Sequence, residues 1–201
     1  MRGFSDDERD AIRRQLVETG RRLFVRYGPE KTNVADITDE VGIAKGTFYR
    51  FFDSKSALYF EIFTQERDEF LAEVEAALRD IDDPETAIVC LFDHYLTWIE
   101  ESPLLQRLVV DSTYTTAFRD LPAEELERTQ REAMAELRPF FEAWRETGDL
   151  RAIEFDLFLG LLGAVGLVTL HHEEFDQQLG PDRYEEIRNT LIETVARGLT
   201  R

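Results

Sequence analysis

A chain of 201 residues that is 43% hydrophobic, with a formal net charge of −18, is long enough to bury a core and too apolar to remain disordered. Its single cysteine, Cys90, excludes an intrachain disulfide and sits in the apolar stretch from Ile88 to Phe92, the setting of a buried thiol. The charge is uneven: residues 1–60 sum to plus 1 and residues 61–201 to minus 19, and all three lysines, Lys31, Lys45 and Lys55, fall in the first part.

Carboxylate excess with lysine avoidance is the composition of halophilic proteins, whose negative surface stays hydrated and is screened by salt. The chain starts with charged residues rather than an apolar leader. Its most apolar stretch, residues 155–170, is interrupted by Asp156 and three glycines. A cytoplasmic protein with no membrane association is expected.

The first helix is predicted to start at a capping box, Ser5 with Glu8 three residues on, and to place Ile12, Leu16, Leu23 and Tyr27 on one side before Gly28-Pro29 ends it. Asn33 caps the second, with Asp36 at its positive end and Val34, Ile37 and Val41 facing inward. Gly42 supplies the positive φ of a sharp turn, Ile43 anchors that turn, and Ala44 to Phe52 forms the third helix with Phe48 and Phe52 as core. Ser54 then caps a long helix carrying Leu58, Ile62, Phe70, Val74 and Leu78. Further helices are predicted at about 84–100, 103–119, 122–146, 153–172 and 182–199, with Pro84, Pro103, Pro122 and Pro181 near their starts. No segment alternates as a strand does. The expected fold is all-α with about nine helices. A three-helix, helix-turn-helix domain (residues 1–54) precedes an antiparallel helical domain for ligand binding and dimerisation (residues 55–201).

Two short helices locked across a glycine turn present the second to the major groove of DNA. Ala44, Lys45, Gly46 and Thr47 form its leading edge; Lys45 suits a guanine edge and Thr47 a base or phosphate. Tyr49, Arg50 and Lys55 are placed to approach the flanking phosphates, the last from the first turn of a helix.

Residues 31–58 closely resemble the N-terminal domain of TetR-family transcriptional regulators in Thr32, Ile37, Val41-Gly42-Ile43, Lys45-Gly46-Thr47-Phe48-Tyr49, Phe52, Ser54-Lys55 and Leu58. The resemblance implies a dimeric, all-helical, non-enzymatic regulator, usually a repressor, released from an operator by a small molecule bound in its C-terminal domain. It adds Thr32 to the DNA-binding set. It further implies that Thr47, Tyr49 and Lys55 touch phosphates while Lys45 and Gly46 approach bases. Phe51 departs from the pattern, since family members often carry histidine or tyrosine there.

For dimerisation, the apolar run from Phe155 offers Leu159, Gly160, Gly163, Gly166 and Val168, the glycines allowing close helix approach. The last helix offers the stripe Tyr184, Ile187, Leu191, Val195 and Leu199. The resemblance assigns dimerisation to the same two helices. Two reading helices on one face lie about 34 Å apart, so a palindromic operator is expected.

A hydrophobic or amphipathic effector is expected among the central aromatics Phe92, Tyr95, Trp98, Tyr114, Phe118, Phe141 and Trp144, with His94, Gln106, Arg107, Asp111 and Thr115 as orienting polar groups. No cofactor or metal is expected: His171 and His172 are adjacent, so they point about 100° apart on a helix, and no HExxH motif is present. The alternative is an acidic, dimeric protein-interaction module without sequence-specific DNA binding.

Overall fold

The computed structural model describes residues 5–110, 118, 120–180 and 183–201, without the side chains of residues 107–110, 123, 125, 127, 129, 130, 133 and 134. Among these residues the fold is all-α. Ten α-helices follow one another: α1 (Asp6–Tyr27), α2 (Val34–Val41), α3 (Lys45–Phe48), α4 (Lys55–Leu78), α5 (Pro84–Glu101), α6 (Pro103–Val110), α7 (Ala123–Thr147), α8 (Phe155–Gly166), α9 (His172–Leu179) and α10 (Arg183–Leu199). A 3₁₀ turn, Leu167–His171, separates α8 from α9. One isolated antiparallel bridge joins Leu150 to Thr200. Two compact units result: residues 1–66 with 103–126, and residues 67–102 with 127–201.

In the first unit the helix ends follow local chemistry. The Ser5 amide donates to Glu8 Oε2 at 2.8 Å while the Glu8 amide donates to Ser5 Oγ at 3.2 Å. The Asn33 amide donates to Asp36 Oδ2 at 2.7 Å, and Ser54 Oγ accepts from the Ala57 amide at 3.0 Å. Each satisfies an amide that the first helical turn leaves without a partner. Leu16, Val17, Leu23 and Phe24 of α1, Ile37 of α2, Phe48 of α3, and Leu58, Tyr59 and Ile62 of α4 are buried together. The inward face of α1 therefore runs 16, 17, 20, 23, 24 and not on to Tyr27, which is 45% exposed. Gly20 sits within that face; a Cβ there would lie 2.8 Å from Leu58 Cδ2, so the missing side chain lets α1 approach α4 closely.

The second unit buries Phe70, Val74 and Leu78 of α4 with Ile88, Leu91, Phe92 and Leu96 of α5, Phe141 and Trp144 of α7, Phe155, Phe158, Leu162 and Val165 of α8, and Ile192, Ala196 and Leu199 of α10. One buried cation holds α10 to α5. Arg188 donates to Asp93 Oδ1 at 2.6 Å, the Asp93 carbonyl at 3.1 Å, Thr97 Oγ1 at 2.9 Å and Glu100 Oε1 at 3.1 Å. Burial works against that charge, but the Asp93 hydrogen bond and the two carboxylates outweigh it, leaving the guanidinium more firmly protonated than usual. Tyr184 donates its hydroxyl to the same Glu100 carboxylate. Burial first, and then that bond, raises the phenol's pKa.

Two predicted boundaries moved. The third helix is one turn, Lys45–Phe48, and residues 49–51 continue as tight turns in which Arg50 and Phe51 donate three residues back to Thr47 and Phe48. The helix expected over 153–172 ends at Gly166, because the chain tightens into the 3₁₀ turn before α9. By length and composition alone, Phe155–Leu179 would suffice to cross a membrane; here that turn breaks it, and Phe158, Leu162 and Val165 are buried in the unit's own core. The helix expected over 103–119 is α6 as far as Val110; residues 111–117 and 119, and Pro181, lie outside the described residues.

Candidate nucleic-acid interface

The turn between α2 and α3 is built on Gly42, at φ +77° and ψ 30°, where a side chain would be strained. The amides of Gly42 and Ile43 both donate to the Thr38 carbonyl, at 2.9 and 3.0 Å, closing the turn. Phe48 is fully buried and Phe52 is 5% exposed, their ring centroids 5.7 Å apart. These two rings bolt the segment down from both of its ends. The opposite side is left open: Ala44, Lys45, Gly46, Tyr49 and Arg50 are exposed and Thr47 is half-buried. No atom lies within 4 Å of where a Gly46 Cβ would be, so this edge is free for close approach.

Two residues expected at the DNA are tied up within the unit. Thr32 is 1% exposed and donates its hydroxyl to the Gly28 carbonyl at 2.8 Å, closing the loop after α1. The Lys55 ammonium donates to the Pro29 carbonyl and, at 2.7 Å, to the Thr32 carbonyl. It clamps the α1–α2 loop to the start of α4.

A residue that pattern reading missed is Arg13. Its guanidinium reaches from α1 to Glu61 of α4, to the Phe51 carbonyl and over the Phe52 ring. It lines a cleft of about 1230 Å³ together with Lys45, Tyr49 and Lys55. Arg13 lies opposite no apolar gap in the sequence, and only the packed structure reveals its partners.

The described residues among those expected to bind an effector fall into separate groups. Phe92, Phe141 and Trp144 each pack on the Phe158 ring in the second unit, at centroid distances of 6.0, 5.4 and 6.0 Å. Trp98 stacks on Phe70 at 4.6 Å with Tyr95 beside it. His94 turns back along α5, its Nδ1–H donating to the Cys90 carbonyl at 2.9 Å. Phe118, by contrast, belongs to the first unit, against Tyr59, Phe60 and Phe63, and Gln106 is also in that unit. Asp111, Tyr114 and Thr115 lie outside the described residues, as does the Arg107 side chain.

The residues expected at a dimer interface divide into two sets. Phe155, Tyr184 and Leu199 are 5% exposed or less, and Gly166 is buried, its Cβ position 2.7 Å from the Tyr95 ring. These serve the chain's own core. Gly160 is exposed, Leu159, Gly163, Val168, Ile187, Leu191 and Val195 are partly so, and a Cβ at Gly160 or Gly163 would meet nothing within 4 Å. Leu157 of α8, Leu167 of the 3₁₀ turn and Leu179 at the end of α9 add exposed apolar surface, at 55%, 53% and 57%. A second cleft of about 600 Å³ runs along α10 between Leu179, Ile187, Leu191 and Thr194.

The two histidines keep separate partners, His171 with Glu174 at 2.8 Å and His172 with Asp176 at 3.4 Å. Among the described residues no three His, Cys, Asp or Glu side chains are grouped to hold a metal ion.

Residues 16–62 match the family model for bacterial regulatory proteins of the tetR family. The HTH-type transcriptional repressor Rv1474c of Mycobacterium tuberculosis is 31% identical over 68 residues, 34% of this chain and 36% of that protein. The curated relatives are thus matched over about a quarter to two fifths of their length. Over nearly the whole chain the fold is that of a transcriptional regulator FadR from Bacillus subtilis in complex with stearoyl-CoA (TM-score 0.67, 14% identity, covering 92% of this chain and 98% of that one). It is also that of a protein from Saccharomonospora viridis in complex with choline (TM-score 0.66, 20% identity, covering 96% and 99%).

Proposed function

We propose, since residues 16–62 match the family model for bacterial regulatory proteins of the tetR family, that this chain binds a palindromic operator as a homodimer and represses transcription until a small hydrophobic or amphipathic effector releases it. Residues 1–54 read the DNA; residues 55–201 pair the subunits and take the effector. The observation that carries this reading is the open edge Ala44, Lys45, Gly46 and Tyr49, held outward by the buried Phe48 and Phe52. A rigid turn with small residues at its tip meets the geometric demand of the major groove, and Tyr49 and Arg50 beside it supply phosphate contacts. Thr32 and Lys55 contribute by fixing the loop after α1, so that the turn meets DNA as a rigid body.

The unoccupied side of Gly160 and Gly163, continued by Leu157, Leu167, Ile187 and Leu191, suits a second copy of the same surface. Contiguous exposed apolar residues of this kind suit an interaction face. Repression needs no further contact, since a bound dimer obstructs promoter access by itself.

Selection of bound fragments from the source genome, repeated at two salt concentrations, tests the reading. Enrichment of a two-fold symmetric site whose affinity falls with salt is expected. Recovery of no preferred sequence overturns it. Stearoyl-CoA and choline, the ligands of two proteins with this fold, are the first compounds to assay for release of the selected site.

A further inference from the structure

The reading helix is a single turn of four residues, Lys45–Phe48. A helix that short has no stability of its own, so its angle is set by what grips its far end. That end is residues 49–52, and two contacts of one side chain converge there. Arg13 Nη1 donates to the Phe51 carbonyl at 3.3 Å, and the guanidinium carbon stands 4.6 Å from the centroid of the Phe52 ring. The same group donates through Nε to Glu61 Oε1 at 3.1 Å and through Nη2 to Glu61 Oε2. Arg9, one turn earlier on α1, lies 5.6 Å over the Phe51 ring.

We propose that Arg13 is a positioning residue for DNA reading: it ties the exit of the reading turn to α1 and, through Glu61, to α4. This rests on the DNA-binding function proposed above. The chemistry requires arginine. A planar guanidinium engages both carboxylate oxygens of Glu61, keeps a third N–H for a carbonyl and lays its face on a ring, whereas an ammonium is a point donor. Glu61 lies on the part of α4 that packs in the first unit, so displacement of that helix segment pulls on the reading turn through a side chain that itself reads nothing. Arg13 is nevertheless 43% exposed and shares a cleft with Lys45 and Tyr49. A direct phosphate contact is therefore the rival role, and salt dependence separates the two.

The test uses the full chain with Arg13→Met, Arg13→Lys and Glu61→Gln, the selected operator, and a scrambled duplex of the same length. Affinities are measured across a salt series. For a positioning role, Arg13→Met weakens operator binding by about tenfold, changes scrambled-DNA binding by less than about twofold, and leaves the slope of log K against log salt unchanged. Arg13→Lys does not restore the preference. Glu61→Gln loses part of it, since the Phe51 and Phe52 contacts survive. Equal weakening on both duplexes with a slope smaller by about one per chain would assign Arg13 to a phosphate and overturn the proposal. Unchanged operator affinity overturns it as well. If Arg13→Met does not fold, Glu61→Gln decides: a reduced operator-to-scrambled ratio supports the proposal and an unaltered one refutes it. A wild-type chain that prefers no duplex defeats the DNA-binding function itself, and the role of Arg13 with it.

Discussion

Replacing Gly163 with leucine sets the proposed dimer against the fold of the single chain, because the two respond with opposite sign. No atom lies within 4 Å of a Cβ at Gly163, so the first carbon of a leucine side chain meets no obstacle in its own chain. Within a helix leucine is favoured over glycine by about 0.8 kcal/mol. In a two-fold symmetric contact the same side chain intrudes twice. At about 1–3 kcal/mol for each overpacked site, the dimer loses about 2–6 kcal/mol, a rise in its dissociation constant between about thirtyfold and twenty-thousandfold. Gly166 three residues on provides the reverse case. There a Cβ would lie 2.7 Å from Tyr95 Cε1 and 2.8 Å from Ile99 Cδ1, so Gly166→Ala strains the chain's own core. It is expected to cost about 1–3 kcal/mol of folding stability, or roughly 2–12 °C in melting temperature. Sedimentation equilibrium reads association directly. Unfolding across a dilution series isolates folding, since only the association contribution varies with protein concentration. A Gly163→Leu chain that sediments as an undiminished dimer would remove the open edge of α8 from the interface and refute the reasoning.

Tyr49→Ala, at a residue 48% exposed, should weaken operator and scrambled DNA together while leaving the dimer intact; unchanged affinity for both denies it a backbone contact. Arg188→Met strands Asp93 and Glu100. Because those carboxylates are 51% and 29% exposed, the loss is set below that of a fully buried pair, at about 2 kcal/mol or a melting temperature lower by roughly 4–8 °C. A melt within a degree or so of wild type would show that Arg188 holds nothing. Burial, and secondarily Asp93, pushes the Cys90 thiol above its ordinary 9.0, so the thiolate is scarce at neutral pH and becomes abundant only as pH rises past that value. Alkylation of Cys90 should keep accelerating through pH 9, and a plateau reached below pH 8.5 would contradict the assignment.

What could be read from the chain was what depends on neighbours a few residues away. The Ser5–Glu8 and Asn33–Asp36 pairs, the Ser54 cap and the left-handed Gly42 are each decided within one helical turn, and the recurrence of Leu58, Ile62, Phe70, Val74 and Leu78 at multiples of four fixed the buried side of α4. Harder were the places where a distant element decides. Whether Phe24 or Tyr27 closes the core of α1 depends on where α4 lies against Gly20. Lys55 stands at a helix start, the setting of a phosphate ligand, and nothing local shows that its ammonium also donates to the carbonyls of Pro29 and Thr32. Arg188 sat among exposed charges in the final helix, and nothing local marks it as the buried one; Asp93, Thr97 and Glu100 lie some ninety residues earlier. The central aromatics formed one set by composition, and the fold divides them, Phe118 from Phe92, between separate cores.

The reading turn keeps two vocabularies apart. Phe48 and Phe52 decide whether the segment folds; Ala44, Lys45 and Gly46 project from it and belong to no core, and Tyr49 meets the core only at the edge of the Phe48 ring. If the turn reads DNA as proposed, substitutions at the projecting positions would rewrite which base pairs are favoured without touching the scaffold, and drift in one promoter could be followed by its regulator in a single mutational step. Such a module is free to acquire new targets while its architecture stands still.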